Sequence, residues 1–103
     1  MRYGLNEEVI SKINSVFASY PQIKKVILYG SKAKGNYKNG SDIDLALVAD
    51  EIDFSLLHKI ESQLDDLFIP YKIDLSIYND IKSEELIEHI KRMGIVFYVL
   101  ENN

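Results

Sequence analysis

The stretch VILYGSKAKGNYKNGSDIDLALV, residues Val26–Val48, decides how this chain is read. Lys25 to Tyr29 is short, apolar and rich in β-branched residues, the composition of a strand. Gly30-Ser31 follows as a tight turn, and Ser31 to Lys34 forms a short helical turn closed by Gly35. Asn36 to Ser41 has loop composition. Ile43 to Ala49 resumes as a second strand with Ile43, Leu45 and Leu47 on one face and Asp42, Asp44, Ala46 and Val48 on the other.

Asp42 and Asp44 are two residues apart, so a strand directs both carboxylates to one face. Two carboxylates brought together repel unless a cation lies between them. Their hard oxygen donors suit Mg²⁺ or Mn²⁺, which also take phosphate oxygens. An isolated Asp-x-Asp is more often a capped turn. Here Asp44 lies between Ile43 and Leu45 inside a strand, where Asp is disfavoured. Asp74, in Lys72-Ile73-Asp74-Leu75, repeats the pattern on a third strand. If the second and third strands are neighbours, three carboxylates share one face and suit two divalent ions and phosphoryl transfer. Asp42 and Asp44 would then hold both ions. Asp74 would serve the ion beside the nucleophile and could take its proton.

Gly30 lets a phosphate approach the backbone. The free N–H groups of the following turn and the Ser31 hydroxyl can then bind it. Other phosphate and ion motifs fail. Gly30 and Gly35 have P-loop spacing, but Asn36 and Tyr37 stand where Lys and Ser/Thr are required. No G-x-G-x-x-G occurs, and Leu45 and Ala46 break an EF-hand pattern.

Outward from this segment, 103 residues make a single domain, 1–103, with a modest core. There are no cysteines, which excludes disulfides and thiolate metal sites. No apolar run approaches the ~20 residues of a membrane span, so a cytoplasmic protein is expected. The net charge of −4 argues against stable nucleic-acid binding. Five of the twelve basic residues, Lys24, Lys25, Lys32, Lys34 and Lys38, fall in an acid-free segment ending at Gly40. Such a patch on an acidic chain fits a small polyanion, a nucleoside triphosphate for example.

Val9, Ile10, Ile13, Val16 and Phe17 have helical spacing behind an Asn6 cap. Asp53 caps a helix with Leu57, Ile60, Leu64 and Leu67 in one stripe. Tyr71 to Tyr78 alternates as the third strand. Ser83 caps a last helix carrying Leu86, Ile87, Ile90 and Met93, and Gly94 ends it. Ile95 to Leu100 is a closing strand or a partner-facing segment. The alternation predicts an α/β (α+β) domain: a small mixed sheet of three to four strands with helices mainly on one face. Ala46, Val48 and the Ile95–Leu100 run offer more apolar surface than so small a chain easily covers, so homo- or hetero-oligomers are expected. His58 and His89 fit no ligand pattern and read as structural or solvated. Tyr29 reads as a packing residue.

Gly-Ser, ten residues, then Asp-x-Asp, with a third Asp on a later strand, resembles the signature of the DNA polymerase beta-like nucleotidyltransferase superfamily. The resemblance spans roughly residues 6 to 98. The short chain is similar to its minimal MNT branch, whose members often accompany a HEPN-domain partner. The resemblance implies Gly30 and Ser31 at the nucleotide phosphates, Asp42 and Asp44 as the metal pair, and Asp74 as the third carboxylate. Lys32 and Lys34 stand where many members carry Arg, which keeps the charge but loses the bidentate fork. It further implies Mg²⁺-dependent transfer of AMP from ATP to a hydroxyl, expected to be a tyrosine of a HEPN toxin, with this chain as antitoxin. The alternatives are a non-catalytic antitoxin that acts by contact and a transferase subunit acting on a small molecule.

Overall fold

The computed structural model describes residues 2–35 and 40–101. Four strands, β1 (Ile23–Tyr29), β2 (Ile43–Ala49), β3 (Ile73–Ile77) and β4 (Ile95–Val99), form one sheet in the order β3-β2-β1-β4. The pairs β1–β2 and β1–β4 are antiparallel, and β2–β3 is parallel. Parallel neighbours need a crossover connection, here helix α3 (Phe54–Asp65). The other helices are α1 (Glu7–Ala18), the single turn α2 (Ser31–Lys34) and α4 (Glu84–Met93).

The helix starts follow from their caps. The side chains of Asn6, Asp53 and Ser83 accept the N–H groups of Val9, Leu56 and Leu86 at 2.8, 2.8 and 3.2 Å. Each bond satisfies a donor that has no partner within the helix and contributes about 1 kcal/mol. β2 and α2 have the limits expected from the sequence. β1 begins two residues earlier, because Ile23 pairs with Ala49 across an irregularity in register. The Asn36–Ser41 loop expected from the sequence lies mostly outside the described residues.

The main core lies between one sheet face and the helices α1 and α3. It joins Val9, Ile10, Ile13, Val16 and Phe17 of α1 to Ile23, Val26, Leu28, Ile43, Leu45 and Leu47 of the sheet and Ile60 and Leu64 of α3. Burying each large apolar side chain is worth roughly 1.5–3 kcal/mol, so α1 is held by packing far more than by its caps. α4 takes the opposite face, where Ile90 packs with Tyr29 and Ala46. Two long helices thus share one face as expected, while the third covers the face that carries the carboxylates. Ala46 is therefore covered within the chain. Val96 and Val99 on the edge strand β4 remain exposed.

Gly94 ends α4 for a reason other than the one its position suggests. Its φ is −65°, an ordinary value. A Cβ there would collide with the Ile90 carbonyl oxygen and the Ile27 side chain. Crowding by the last turn of α4 and by the sheet beside it, not a left-handed turn, requires the glycine. Among the described residues, no helix is long and apolar enough to cross a membrane.

Candidate functional site

The site forms where β1 ends and β2 and β3 begin. In the parallel register Asp44 pairs directly with Asp74, and in the antiparallel register it pairs with Tyr29. Paired residues send their side chains to the same sheet face, so the two carboxylates that the sequence places on separate strands are cross-strand neighbours. Asp42 lies two residues upstream of Asp44, in the lead-in to β2. Burial, then Asp74, then Asp42 push the Asp44 carboxyl above its ordinary range. Asp44 is a half-buried acid with two like charges near it.

The Gly30-Ser31 turn lies directly against this acid. Gly30 has φ 78° and ψ −154°, a region closed to residues with side chains. A Cβ at Gly30 would collide with the Asp44 carboxylate. The carboxylate therefore occupies the space that the missing side chain leaves. Ser31 opens α2, whose first intrahelical bond runs from the Lys34 N–H to the Gly30 carbonyl at 3.1 Å. The N–H groups of Ser31, Lys32 and Ala33 thus precede the first bonded turn.

The two lysines expected beside the phosphates have different settings. Lys34 is exposed at the end of α2. Lys32 is 2% exposed, with its ammonium 4.8 Å from the centre of the Tyr71 ring. Burial lowers its pKa, and the ring face offsets part of the lost hydration. The Tyr71 hydroxyl in turn donates to the Gly4 carbonyl at 3.4 Å, so Lys32 joins α2 to the start of β3 and the N-terminal turn.

Tyr29 packs, as its place before Gly30 suggests. It is 7% exposed. Burial raises the pKa of its phenol, a bond from the Ser76 hydroxyl opposes that, and Asp44 and Asp74 add to it. His89 is the site residue that sequence reasoning misses. The Gly30 N–H donates to His89 Nε2 at 3.1 Å, and the imidazole stands edge-on to the Tyr29 ring at 6.2 Å. Its place beside the buried Ile90 puts it at the margin of the apolar face of α4. No sequence signal says what that margin meets. His58 makes an edge contact with exposed Phe54.

Whether these residues suit a divalent cation can be judged from the donors alone. They are carboxylate oxygens on one face, mutually repelling, with the Gly30-Ser31 turn beside them, which fits Mg²⁺ or Mn²⁺. Among the described residues, no three acidic, His or Cys side chains converge into a ready-made cage. An open set is the expected form where substrate phosphates complete the coordination. A groove of about 430 Å³ on the face beside α4, between Lys25, Val48, Tyr78 and Lys91, includes none of the carboxylates.

Comparison with known proteins identifies the family and supports the fold. The family described as Polymerase beta, Nucleotidyltransferase matches residues 11–103. A Methanocaldococcus jannaschii protein provisionally named a protein adenylyltransferase is 35% identical over 85 residues, which cover 80% of this chain and 79% of that one. A Haemophilus influenzae protein provisionally named protein adenylyltransferase MntA is 25% identical over 93 residues, 89% of this chain and 81% of that one. A toxin-antitoxin crystal structure with AMP-PNP superimposes with a TM-score of 0.70 at 24% identity, over 94% of this chain and 76% of that one. A chain from the complex of a tri-AMPylated Shewanella oneidensis HEPN toxin with its MNT antitoxin gives 0.68 at 19% identity, over 93% and 74%. At these identities the two structures attest the fold.

Proposed function

The chain belongs to the polymerase beta nucleotidyltransferase family, and on that premise we propose that it transfers AMP from ATP to a tyrosine of a HEPN-domain toxin, acting as its antitoxin. One observation carries the reading. Asp44 and Asp74 are paired across β2 and β3, with Asp42 just upstream and the Gly30 turn against Asp44. The protein-directed acceptor is supported by the names of the two sequence relatives and by the toxin-antitoxin complexes that share the fold.

Asp42, Asp44 and Asp74 would hold two divalent ions, Mg²⁺ in the first instance and Mn²⁺ as a substitute. When bound, these ions neutralise the triphosphate and the charge that develops on it. The chain's own groups do the rest. Gly30 clears the approach to the backbone. The Ser31 hydroxyl and the N–H groups at the start of α2 hold phosphate oxygens and orient the α-phosphorus, with exposed Lys34 nearby as a countercharge. Buried Lys32 fixes the turn through Tyr71 as well as adding positive potential. Asp74, exposed at the edge of the sheet, takes the proton of the incoming hydroxyl. A bond forms between that oxygen and the α-phosphorus as the bond to the departing pyrophosphate breaks.

The test is co-expression of the partner toxin with the double substitution Asp42→Asn, Asp44→Asn, alongside transfer of label from α-labelled ATP. Loss of both labelling and neutralisation is expected. Full neutralisation by the double variant would overturn the catalytic reading in favour of contact alone. Labelling of a small hydroxylated compound instead of the toxin would move the acceptor to that class.

A further inference from the structure

We infer that His89 of α4 is a positioning residue that fastens the Gly30-Ser31 turn to the helix on the carboxylate face of the sheet. The bond from the Gly30 N–H to His89 Nε2, 3.1 Å long, joins positions 59 apart in sequence. Gly30 sits at the point where the chain leaves β1 and turns against Asp44. A glycine has many backbone conformations of similar energy and no side chain to hold one of them. Something else must select φ 78° and ψ −154°. His89 does so by taking the N–H, while its ring braces edge-on against Tyr29 at 6.2 Å.

This bond specifies the chemistry of the imidazole. An acceptor at Nε2 must lack a proton there, so the neutral ring carries its proton on Nδ1. Burial, Lys34 and Arg92 all disfavour the charged ring, which keeps the acceptor available. With the Gly30 N–H taken by His89, the phosphate falls to Ser31 and the N–H groups after it. His89 thus decides which donors the turn presents. That the turn receives phosphate rests on the transferase reading above; the fastening does not.

The test uses the full chain, with His89→Phe and His89→Gln. Phenylalanine keeps the ring against Tyr29 and removes the acceptor. Glutamine restores an acceptor without the ring. Nitrogen NMR of the wild type should show the Nδ1–H tautomer of His89; an Nε2–H tautomer would overturn the proposal outright. Exchange of the Gly30 amide should accelerate at least tenfold in His89→Phe and return towards the wild-type rate in His89→Gln. Affinity for AMP-PNP with Mg²⁺ should follow the same order, falling about tenfold and recovering to within about threefold. Equal Gly30 protection in all three proteins would overturn the fastening. A protein with Gly30 protected and the Nδ1–H tautomer, yet with no nucleotide affinity, would support the fastening and remove the transferase reading.

Discussion

Replacing Gly30 by Ala tests the junction between the turn and the carboxylates. Two costs and one gain set the size of the effect. Backbone at φ 78° and ψ −154° costs a residue with a side chain roughly 1–3 kcal/mol. The new methyl group also collides with the Asp44 carboxylate, and driving that side chain off its rotamer adds about 0.5–1.5 kcal/mol. Against these, loss of glycine freedom in the unfolded chain returns about 0.4–1 kcal/mol. The net is a destabilisation of about 0.5–4 kcal/mol, which in a domain of this length lowers Tm by about 4 °C or more per kcal/mol. A fall near 10 °C is expected in a thermal melt followed by circular dichroism at pH 7. Gly35→Ala is the control, because Gly35 also has positive φ (85°) but a methyl group there would meet no atom within 4 Å. It should lose only a few degrees. Combining Gly30→Ala with Asp44→Ala removes the colliding atoms, so the double variant should be less destabilised than the sum of the two single changes by about 0.5–1.5 kcal/mol. If Gly30→Ala melts no lower than Gly35→Ala, or if the double variant is strictly additive, the packing of Asp44 against Gly30 is wrong.

Three further outcomes follow from the same geometry. The Asp44 carboxyl titrates above its ordinary value of 3.8 in the folded protein, so its stabilising effect is present at low pH and is lost as pH rises through the native value. Asp44→Asn should therefore melt higher than wild type at pH 7, with the difference shrinking below about pH 4; a variant no more stable at pH 7 would contradict the crowding of charges. Mg²⁺ at about five times its Kd should stabilise the wild type by about 1 kcal/mol through mass action and leave Asp42→Asn, Asp44→Asn unchanged; equal shifts in calorimetry would place the ion elsewhere. Gly94→Ala should cost about 1–3 kcal/mol in denaturant unfolding, because a methyl group there meets the backbone carbonyl of Ile90, which cannot rotate away, and the Ile27 side chain of β1; a neutral change would mean that the end of α4 is not packed this tightly against its own last turn and the sheet.

Local chemistry made much of this protein legible in the sequence. Asn6, Asp53 and Ser83 mark helix starts because each supplies an acceptor where a helix has unpaired donors. Alternation in Ile43–Ala49 and Ile73–Ile77 assigns Asp44 and Asp74 to the faces they occupy, because a strand turns every second side chain the same way. The spacing from Gly30-Ser31 to Asp42-x-Asp44 was enough to indicate the family. Three matters lay beyond it. The residue-for-residue pairing of Asp44 with Asp74 depends on β2 and β3 being parallel neighbours in one register, and nothing within either strand encodes that partner. Lys32 reads as a cation beside the phosphates, and its burial over Tyr71 was not legible, because the ring comes from a segment 39 positions away. His89 reads as an ordinary helix residue and meets Gly30 only because α4 crosses the face opposite α1 and α3. The sequence by itself determined which residue types sit at the site and on which face of their own element. Tertiary structure decided which of them touch, since a contact between distant segments is set by how whole faces pack and not by the period of any one of them.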